Sequence, residues 1–390
     1  MKYKMKLDLP QNIKFTLDTL ISNGHKAYIV GGCVRDLLCG RLPCDYDITT
    51  SALPHEVQLL FDKTIATGIK HGTVTVVING EQIEITTFRT ENTYTDSRHP
   101  SIVSFVTDVK EDLSRRDITV NAMCYNDREG LIDCFDGKKD IENRTLKAVG
   151  DAKTRFCEDA LRILRLFRFA STLGFNIEKQ TFDAALECSP LLKNISAERV
   201  FAELKKTAFG NNISSLTPLL KCGGLEPYCL SQGEIPKIST LKHKEDLRTF
   251  ALLNLTSSDI SKTLSSLKCS NKFKDYCEKM CFLTKNIIRQ DKVYLKKALN
   301  FAGENTVRDV LEYYRDILDI DISKYETLLN EVISFKEPYL LSHLKISGKD
   351  IIALGIDDIK IGDILHHLLN EVIADPSLNN REKLLELVSN

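Results

Sequence analysis

The stretch Ala27 to Thr49, AYIVGGCVRDLLCGRLPCDYDIT, decides how the rest of the chain is read. Ala27 to Val30 is a short apolar run of the kind that forms a buried strand, and it passes directly into Gly31-Gly32. Cys33 to Cys39 then begins a helix. A strand, two glycines and a helix start leave backbone N–H groups free where glycine lets an anion approach the main chain closely. Neither G-x-G-x-x-G nor G-x-x-x-x-G-K-[ST] occurs, so the two common phosphate-binding fingerprints are absent. Arg35, one turn into the helix, adds a charged donor for a phosphate. Further on, Asp45-Tyr46-Asp47 puts two carboxylates on one face if Tyr46 lies in a strand, because side chains alternate there with period two. Two carboxylates this close repel unless a divalent cation neutralises them, which makes the pair a candidate Mg²⁺ site, although Asp-x-Asp is also common in turns.

Working outward, Ile13, Leu17, Leu20 and Ile21 recur as one side of an amphipathic helix over residues 11–24, closed by Asn23-Gly24. Downstream, Thr73 to Ile78 and Gln82 to Phe88 read as strands joined by Asn79-Gly80, a strong two-residue hairpin turn. Glu84 shares a strand face with Gln82 and Thr86, either as a third carboxylate near a metal or as the partner of a structural arginine. Arg89 to Pro100, RTENTYTDSRHP, is polar and unpatterned and is expected to be a loop. In Arg115-Arg116-Asp117 a cation for phosphate stands beside a carboxylate suited to a sugar hydroxyl, with a plain surface ion pair as the alternative. Leu131 to Gly137 and Leu146 to Gly150 read as the strand and turn punctuation that closes an α/β region.

Beyond Gly150 helical periodicity takes over. Glu158 to Phe169, EDALRILRLFRF, is expected to be one helix, with Asp159, Arg162, Arg165 and Arg168 at steps of three. Each such step turns back by about 60°, so the polar side chains wind slowly along one side while Leu161, Leu164 and Phe167 face elsewhere. Such a stripe is either a solvated face or a surface that meets a ligand.

The chain has 390 residues, too long for one ordinary core. Its 43% hydrophobic and 27% charged content is that of a soluble globular protein. With 53 basic and 54 acidic residues the net charge is −1, so any RNA site is a local basic patch and not a global field. The 12 cysteines include no C-x-x-C, which argues against a zinc ribbon or redox pair, and they read as reduced thiols of a cytoplasmic protein. No run of about 18 apolar residues spans a membrane.

Together these residues resemble the tRNA nucleotidyltransferases that add CCA to tRNA 3′ ends, of the class found in bacteria and eukaryotes. The matching segments are GGCVRD (31–36), DYD (45–47), TGIKHGTVTV (67–76), IEITTFR (83–89), RRDITVNAM (115–123), VGDAKTRFCEDALRILRLFRFA (149–170) and SAERVFAELKK (196–206). LKISGKDIIALGI (344–356) and NNREKLLELV (379–388) look like the family's tail. The resemblance implies an α+β fold, with a polymerase-β-like nucleotidyltransferase head of mixed sheet and helices over residues 1–150. An all-α remainder follows: a base-recognising neck over 151–210, a body over 211–335 and a tRNA-binding tail over 336–390. It further implies that Asp45 and Asp47 hold two Mg²⁺ ions, that Gly32, Arg35 and Arg116 cradle the triphosphate, and that Asp117 reads the ribose 2′-hydroxyl. Asp159 and Arg162 would face the incoming base, with Arg165 and Arg168 supporting that site or reaching the phosphates. The implied partners are the acceptor stem and elbow of tRNA, with CTP and ATP as substrates, for a monomer or homodimer.

That assignment makes chemical sense. Cytosine and adenine each present an exocyclic amino donor beside an unprotonated ring nitrogen, so an ionised Asp accepts from the first while Arg donates to the second. Uracil and guanine present a carbonyl beside a ring N–H, so both bonds meet the wrong partner. Two departures stand out: the loop reads YTDSRHP where DGRRP is more usual, and 211–335 matches no family motif. The rival readings are a poly(A) polymerase of the same superfamily and a partial enzyme adding only CC or only A. TGIKHGTVTV argues against the first, and retention of the 89–100 segment argues against a CC-only enzyme.

Overall fold

A computed structural model of the chain describes residues 2–3, 6–94, 100–231, 235–242, 244–356 and 358–389. The chain forms two compact units, one built mainly from Met1–Pro236 and the other mainly from Lys237–Asn390, with two short exchanges near Thr256–Ser258 and Ser266–Lys268.

The first unit opens with β1 (Lys2–Tyr3), α1 (Gln11–Ser22), β2 (Ala27–Val30), α2 (Gly32–Leu38), β3 (Ile48–Thr50) and α3 (Pro54–Leu60). It continues through β4 (Thr64–Gly68), β5 (Thr73–Ile78), β6 (Glu81–Thr87), β7 (Arg89–Tyr94), β8 (Pro100–Phe105) and α4 (Val109–Ser114). Next come β9 (Met123–Asn126), β10 (Gly130–Asp133), α5 (Gly137–Glu142) and β11 (Thr145–Leu146). The large sheet has the order β1-β10-β9-β2-β3-β6-β5-β4. Its joins are antiparallel except β3 to β6, which is parallel, so the sheet is mixed as expected. The hairpin of β5 and β6 closes over Asn79 and Gly80, both with positive φ (52° and 86°), the conformation that a tight two-residue turn demands.

Period two sorts the sheet into faces. Ala27, Ile29, Ile48, Val74, Val76, Ile83 and Ile85 share a core with Ile13, Leu17 and Leu20 of α1 and Val57 of α3. Tyr28, Val30 and Cys124 point the other way, onto Val109 and Leu113 of α4. Two expectations need correction. The segment 89–100 is not a loop, since β7 and β8 pair antiparallel from Arg89↔Phe105 to Tyr94↔Pro100; the remainder of the expected loop, 95–99, lies outside the described residues. A ladder hides from sequence patterning when neither of its strands alternates apolar and polar residues. Nor does a regular strand contain Asp45 to Asp47: β3 begins only at Ile48. The alternation holds all the same, because Tyr46 and Ile48 both pack on the α1-side core.

The same unit then turns helical, with α6 (Ala152–Glu158), α7 (Leu161–Leu173), β12 (Asn176–Ile177), α8 (Lys179–Glu187), α9 (Ala197–Ala208) and α10 (Thr217–Lys221). The single helix expected over Glu158 to Phe169 is in fact two. Asp159 closes α6 in an extended conformation (φ −141°, ψ 104°), and its carboxylate accepts from Leu161 N–H at 3.0 Å, where the first turn of α7 lacks a partner. A residue that caps with its side chain leaves the helix to do so. Past the break, α7 buries Leu161, Ile163, Leu164, Leu166 and Phe167 and packs against α9. Gly210 lets the two approach, since a Cβ there would lie 2.1 Å from Ser171 Oγ.

The second unit contains α11 (Glu245–Thr256), α12 (Ile260–Ser266), α13 (Asn271–Lys285), α14 (Lys292–Ala302), α15 (Glu304–Asp316), α16 (Ser323–Ser334), α17 (Gly348–Ile352), α18 (Asp358–Ala374) and α19 (Arg381–Ser389). Its C-terminal helices close over a core of Leu344, Ile346, Ile351, Leu368, Leu369, Val372, Ile373 and Leu384. Among the described residues no helix is long and apolar enough to cross a membrane.

Candidate active site

The site is assembled on the α4 side of the sheet. Since Tyr46 and Ile48 point to the opposite core, Asp45 and Asp47 face this side, and Thr49 continues the row. The parallel register pairs Ile48 with Ile85, so the residues before them, Asp47 and Glu84, lie alongside each other. Both aspartates reach solvent. Even so, crowding by the protein raises the Asp47 carboxyl above its ordinary range; loss of hydration is the largest cause, Asp45 the next, and Glu84 adds to it while Arg116 opposes. The Glu84 question, open in the sequence, is answered as to place: its charge is felt at Asp47.

Arg116 is held over this row from below. Its guanidinium reaches Asp112 of α4 at 3.5 Å, and Asp112 also takes Arg115 at 2.8 Å and the Thr49 hydroxyl at 3.4 Å. Burial works to raise the Asp112 carboxyl, but the two arginines overcome it and hold it low. The Arg116 Nε is shielded from solvent without a hydrogen-bond partner among the described residues. Gly31 makes the room: it has φ 82°, and a Cβ there would stand 2.8 Å from Arg116 Nη1. Gly32, the glycine singled out from sequence, is instead the first residue of α2. Arg35 is buried, with Nη1 donating to Asn121 Oδ1 at 2.7 Å and Nη2 to Asp36 Oδ1 at 2.7 Å.

The arginine stripe of α7 meets this region through residues 115 to 117. Arg162 donates to the Arg115 carbonyl at 2.9 Å, and Arg165 Nε donates to Asp117 Oδ2 at 2.7 Å. Burial pushes Asp117 upward, but Arg165 beside it and the Ile118 N–H override that and hold the carboxyl at about 2. Arg168 pairs with Glu203 of α9 at 2.7 Å. Phe169 gathers the cations, with Arg168 3.9 Å from its ring centroid, Arg35 at 5.3 Å and Arg165 at 5.5 Å. An aromatic face offsets some of the repulsion that crowds three guanidiniums together.

At the break between α6 and α7, Asp159 and Arg162 are fixed from several sides. Asp159 Oδ1 takes the Leu161 N–H, and Oδ2 takes Arg199 Nη2 of α9 at 2.9 Å. Glu158 holds Arg162 at 2.7 Å and Arg155 at 2.9 Å through its two oxygens. Arg162 is nearly enclosed.

Two family models match the chain: one described as "Poly A polymerase head domain" over residues 27–147, and one described as "Probable RNA and SrmB- binding site of polymerase A" over 174–226. A curated CCA-adding enzyme from Streptococcus mutans is 35% identical over 390 residues, with 95% of each chain covered. The chain belongs to the CCA-adding enzyme family. A second such relative, from Lactococcus lactis, is 44% identical over 285 residues, covering 69% of this chain and 72% of its own. Among solved structures, the Bacillus stearothermophilus CCA-adding enzyme in complex with CTP matches with a TM-score of 0.85 at 32% identity, over 97% of this chain and 96% of that one.

This family's nucleotidyl transfer implies a divalent metal, and the residues present suit one. Among the described residues no three acidic, His or Cys side chains converge into a cage. Two neighbouring solvent-facing carboxylates, with Asp45 helping to raise the Asp47 carboxyl, are the oxygen donors that a hard divalent cation takes. Of the residues named from sequence, Asp45 and Asp47 lie just before β3 with the Arg116 charge acting on Asp47, and Asp117, Arg162 and Arg165 connect to that region through the run 115–117. Arg35 and Arg168 share the Phe169 ring, and Asp159 stands at the helix break. Sequence reasoning did not single out Glu158, Phe169 or Arg199, and it named Gly31 for the approach of an anion and not for the room it gives Arg116. The signal for Arg199 was in plain view, as the arginine of SAERVF, but nothing local says which carboxylate it meets.

Proposed function

We propose that this enzyme adds C, C and A in turn to the 3′ end of tRNA, using CTP and ATP, releasing pyrophosphate at each step and using no nucleic-acid template. The observation that carries this reading is the run 115–117 standing between two groups: the Arg116 charge acts on Asp47, Arg162 donates to the Arg115 carbonyl at 2.9 Å and Arg165 to Asp117 at 2.7 Å, and Asp159 lies one turn before Arg162. One end suits phosphoryl transfer and the other suits reading a base, and a single nucleotide spans such a pair of functions. In this reading residues 1–150 carry the chemistry, 151–210 read the base, and 211–335 and 336–390 grasp the tRNA acceptor stem and elbow.

Asp45 and Asp47 would hold divalent ions, Mg²⁺ in our reading, which when bound supply Lewis-acid polarisation of the RNA 3′-hydroxyl and the triphosphate. Arg116 neutralises phosphate charge, and the backbone at Gly31-Gly32 with Arg35 lies along the same anion path. Asp117 keeps a free lone pair on each oxygen for a ribose hydroxyl while Arg165 steadies it. Asp159 accepts from the amino group of C or A, and Arg162 donates to the ring nitrogen. A mismatched base leaves both of these bonds to the base unmade, at a cost of about 1 to 3 kcal/mol each. We place this work in the cytoplasm, where tRNA substrates are found.

The test is to incubate purified protein with Mg²⁺, all four NTPs and a tRNA lacking its tail, then sequence the product 3′ ends. Addition of C, C and A followed by arrest is the expected outcome. Long A tracts would establish the poly(A) polymerase reading instead, and arrest after CC, or A added only to a tRNA already ending in CC, a partial enzyme.

A further inference from the structure

Asp159 can discriminate bases only if its carboxylate presents a fixed edge. A carboxylate free to rotate about its last torsion can turn an oxygen away from a mismatched carbonyl, and the penalty that rejects uracil is then lost. In this chain both oxygens are anchored. Oδ1 is taken by the backbone N–H of Leu161 at 3.0 Å, an anchor no side-chain substitution removes. Oδ2 is taken by Arg199 Nη2 at 2.9 Å, from a helix 40 residues away. Two donors on opposite oxygens define the plane of the carboxylate; one alone leaves it hinged.

We propose that Arg199 is the positioning residue that sets the orientation of Asp159 and thereby the fidelity of base choice. This rests on the functional reading above and goes beyond it, since Arg199 is assigned no contact with substrate. Two observations separate this role from simple support of the fold. Arg199 spends one guanidinium nitrogen on Asp159 while the other, Nη1, is screened from solvent with no hydrogen-bond partner among the described residues. A group retained only for stability gains little from a shielded, unsatisfied donor. The helix that carries Arg199 also carries Glu203, which pairs with Arg168 of α7 at 2.7 Å, so α9 is held to α7 by a second ion pair besides the one at the α6–α7 break, and Arg199 does not fasten this region alone. The division of labour is chemical as well: Glu158 fixes Arg162 at 2.7 Å, and Arg199 fixes Asp159, so each base-reading group has an oppositely charged partner.

The experiment compares the parent enzyme with Arg199→Ala and Arg199→Lys on a tRNA lacking its tail, measuring kcat and KM for CTP, ATP and UTP separately, with thermal melting of each protein alongside. Loss of one charge-assisted hydrogen bond predicts that Arg199→Ala narrows the CTP-over-UTP preference by about ten- to a hundredfold. The change should fall mainly on kcat, with the KM for CTP altered less. Arg199→Lys retains the charge but not the planar fork and falls between. Methylguanidinium added to Arg199→Ala restores selectivity, and in an Asp159→Ala background the Arg199 substitution alters selectivity no further. If Arg199→Ala slows CTP and UTP in equal proportion, or if methylguanidinium restores rate without selectivity, the residue is merely structural and the proposal falls. Should Arg199→Ala melt far below the parent, Arg199→Lys carries the same comparison. A parent that never prefers C and A overturns the functional reading and this inference with it; a parent that does, beside an equally selective Arg199→Ala, overturns only the role of Arg199.

Discussion

Replacing Asp117 by Asn tests the joint between the helix α7 stripe and the sheet. Asp117 is 8% exposed and its carboxyl is held at about 2, against an ordinary 3.8. Burial works against this charge; Arg165 and the Ile118 N–H more than compensate. At 1.36 kcal/mol per unit, the shift corresponds to about 2 kcal/mol of stability at pH 5. Water reaches 36% of the Arg165 side chain and screens the pair, which brings the expected loss in Asp117→Asn to about 1 to 2 kcal/mol. The sign follows from the direction of the shift. A carboxyl lowered in the folded state contributes fully above about pH 4 and loses that contribution as the pH falls through 2. The gap between parent and variant should therefore be widest at pH 5 and shrink to about half at pH 3. Urea unfolding followed by far-ultraviolet circular dichroism at pH 5, 4 and 3 measures it. Asn still accepts the Ile118 N–H, so the comparison isolates the charge. A gap that stays constant across this range would refute the reasoning, because a pH-independent loss comes from packing and not from the ion pair. The same variant, assayed with CTP and dCTP, should lose about tenfold in its preference for the ribonucleotide if the remaining lone pairs of Asp117 read the 2′-hydroxyl.

Asp47→Ala is expected to cut nucleotide addition by about a thousandfold or more while leaving the melting temperature unchanged or raised, since it removes a carboxyl crowded by Asp45 and Glu84. Chelation with EDTA should abolish addition in the parent and excess Mg²⁺ restore it, read on a denaturing gel. Asp159→Ala should admit UTP about tenfold more readily relative to CTP with tRNA affinity nearly intact; strict choice of CTP in that variant would rule out base reading by this residue. Gly31→Ala forces a side chain into a positive-φ position 2.8 Å from Arg116 Nη1. It should cost about 1 to 3 kcal/mol of stability and raise the KM for CTP as Arg116 is displaced, both measurable on one preparation.

Several features were legible from residues alone because they depend on near neighbours. Asn79-Gly80 announced the hairpin, since few residues tolerate the backbone that such a turn needs, and the structure closes β5 and β6 there. Period two put Asp45 and Asp47 on one face, and it held even though the regular strand begins only at Ile48. The joint pattern of short motifs carried the fold class and the family.

Other features belonged to the tertiary structure. The break at Asp159 replaced an expected continuous helix, because the local run EDALRILRLFRF satisfies helical periodicity equally well with or without a cap. Arg199, which takes the other Asp159 oxygen, comes from 40 residues away, and the partner of Arg165 stands 48 residues upstream at Asp117. The pairing of β7 with β8 was likewise hidden in a polar run. Periodicity says which way a side chain points, because successive residues turn through fixed angles. It says nothing about which opposite charge waits there, because an ion pair is chosen by packing between segments distant in the chain. The sequence by itself determined the charged stripe and the carboxylate pair; only the tertiary structure decided that residues 115 to 117 join them.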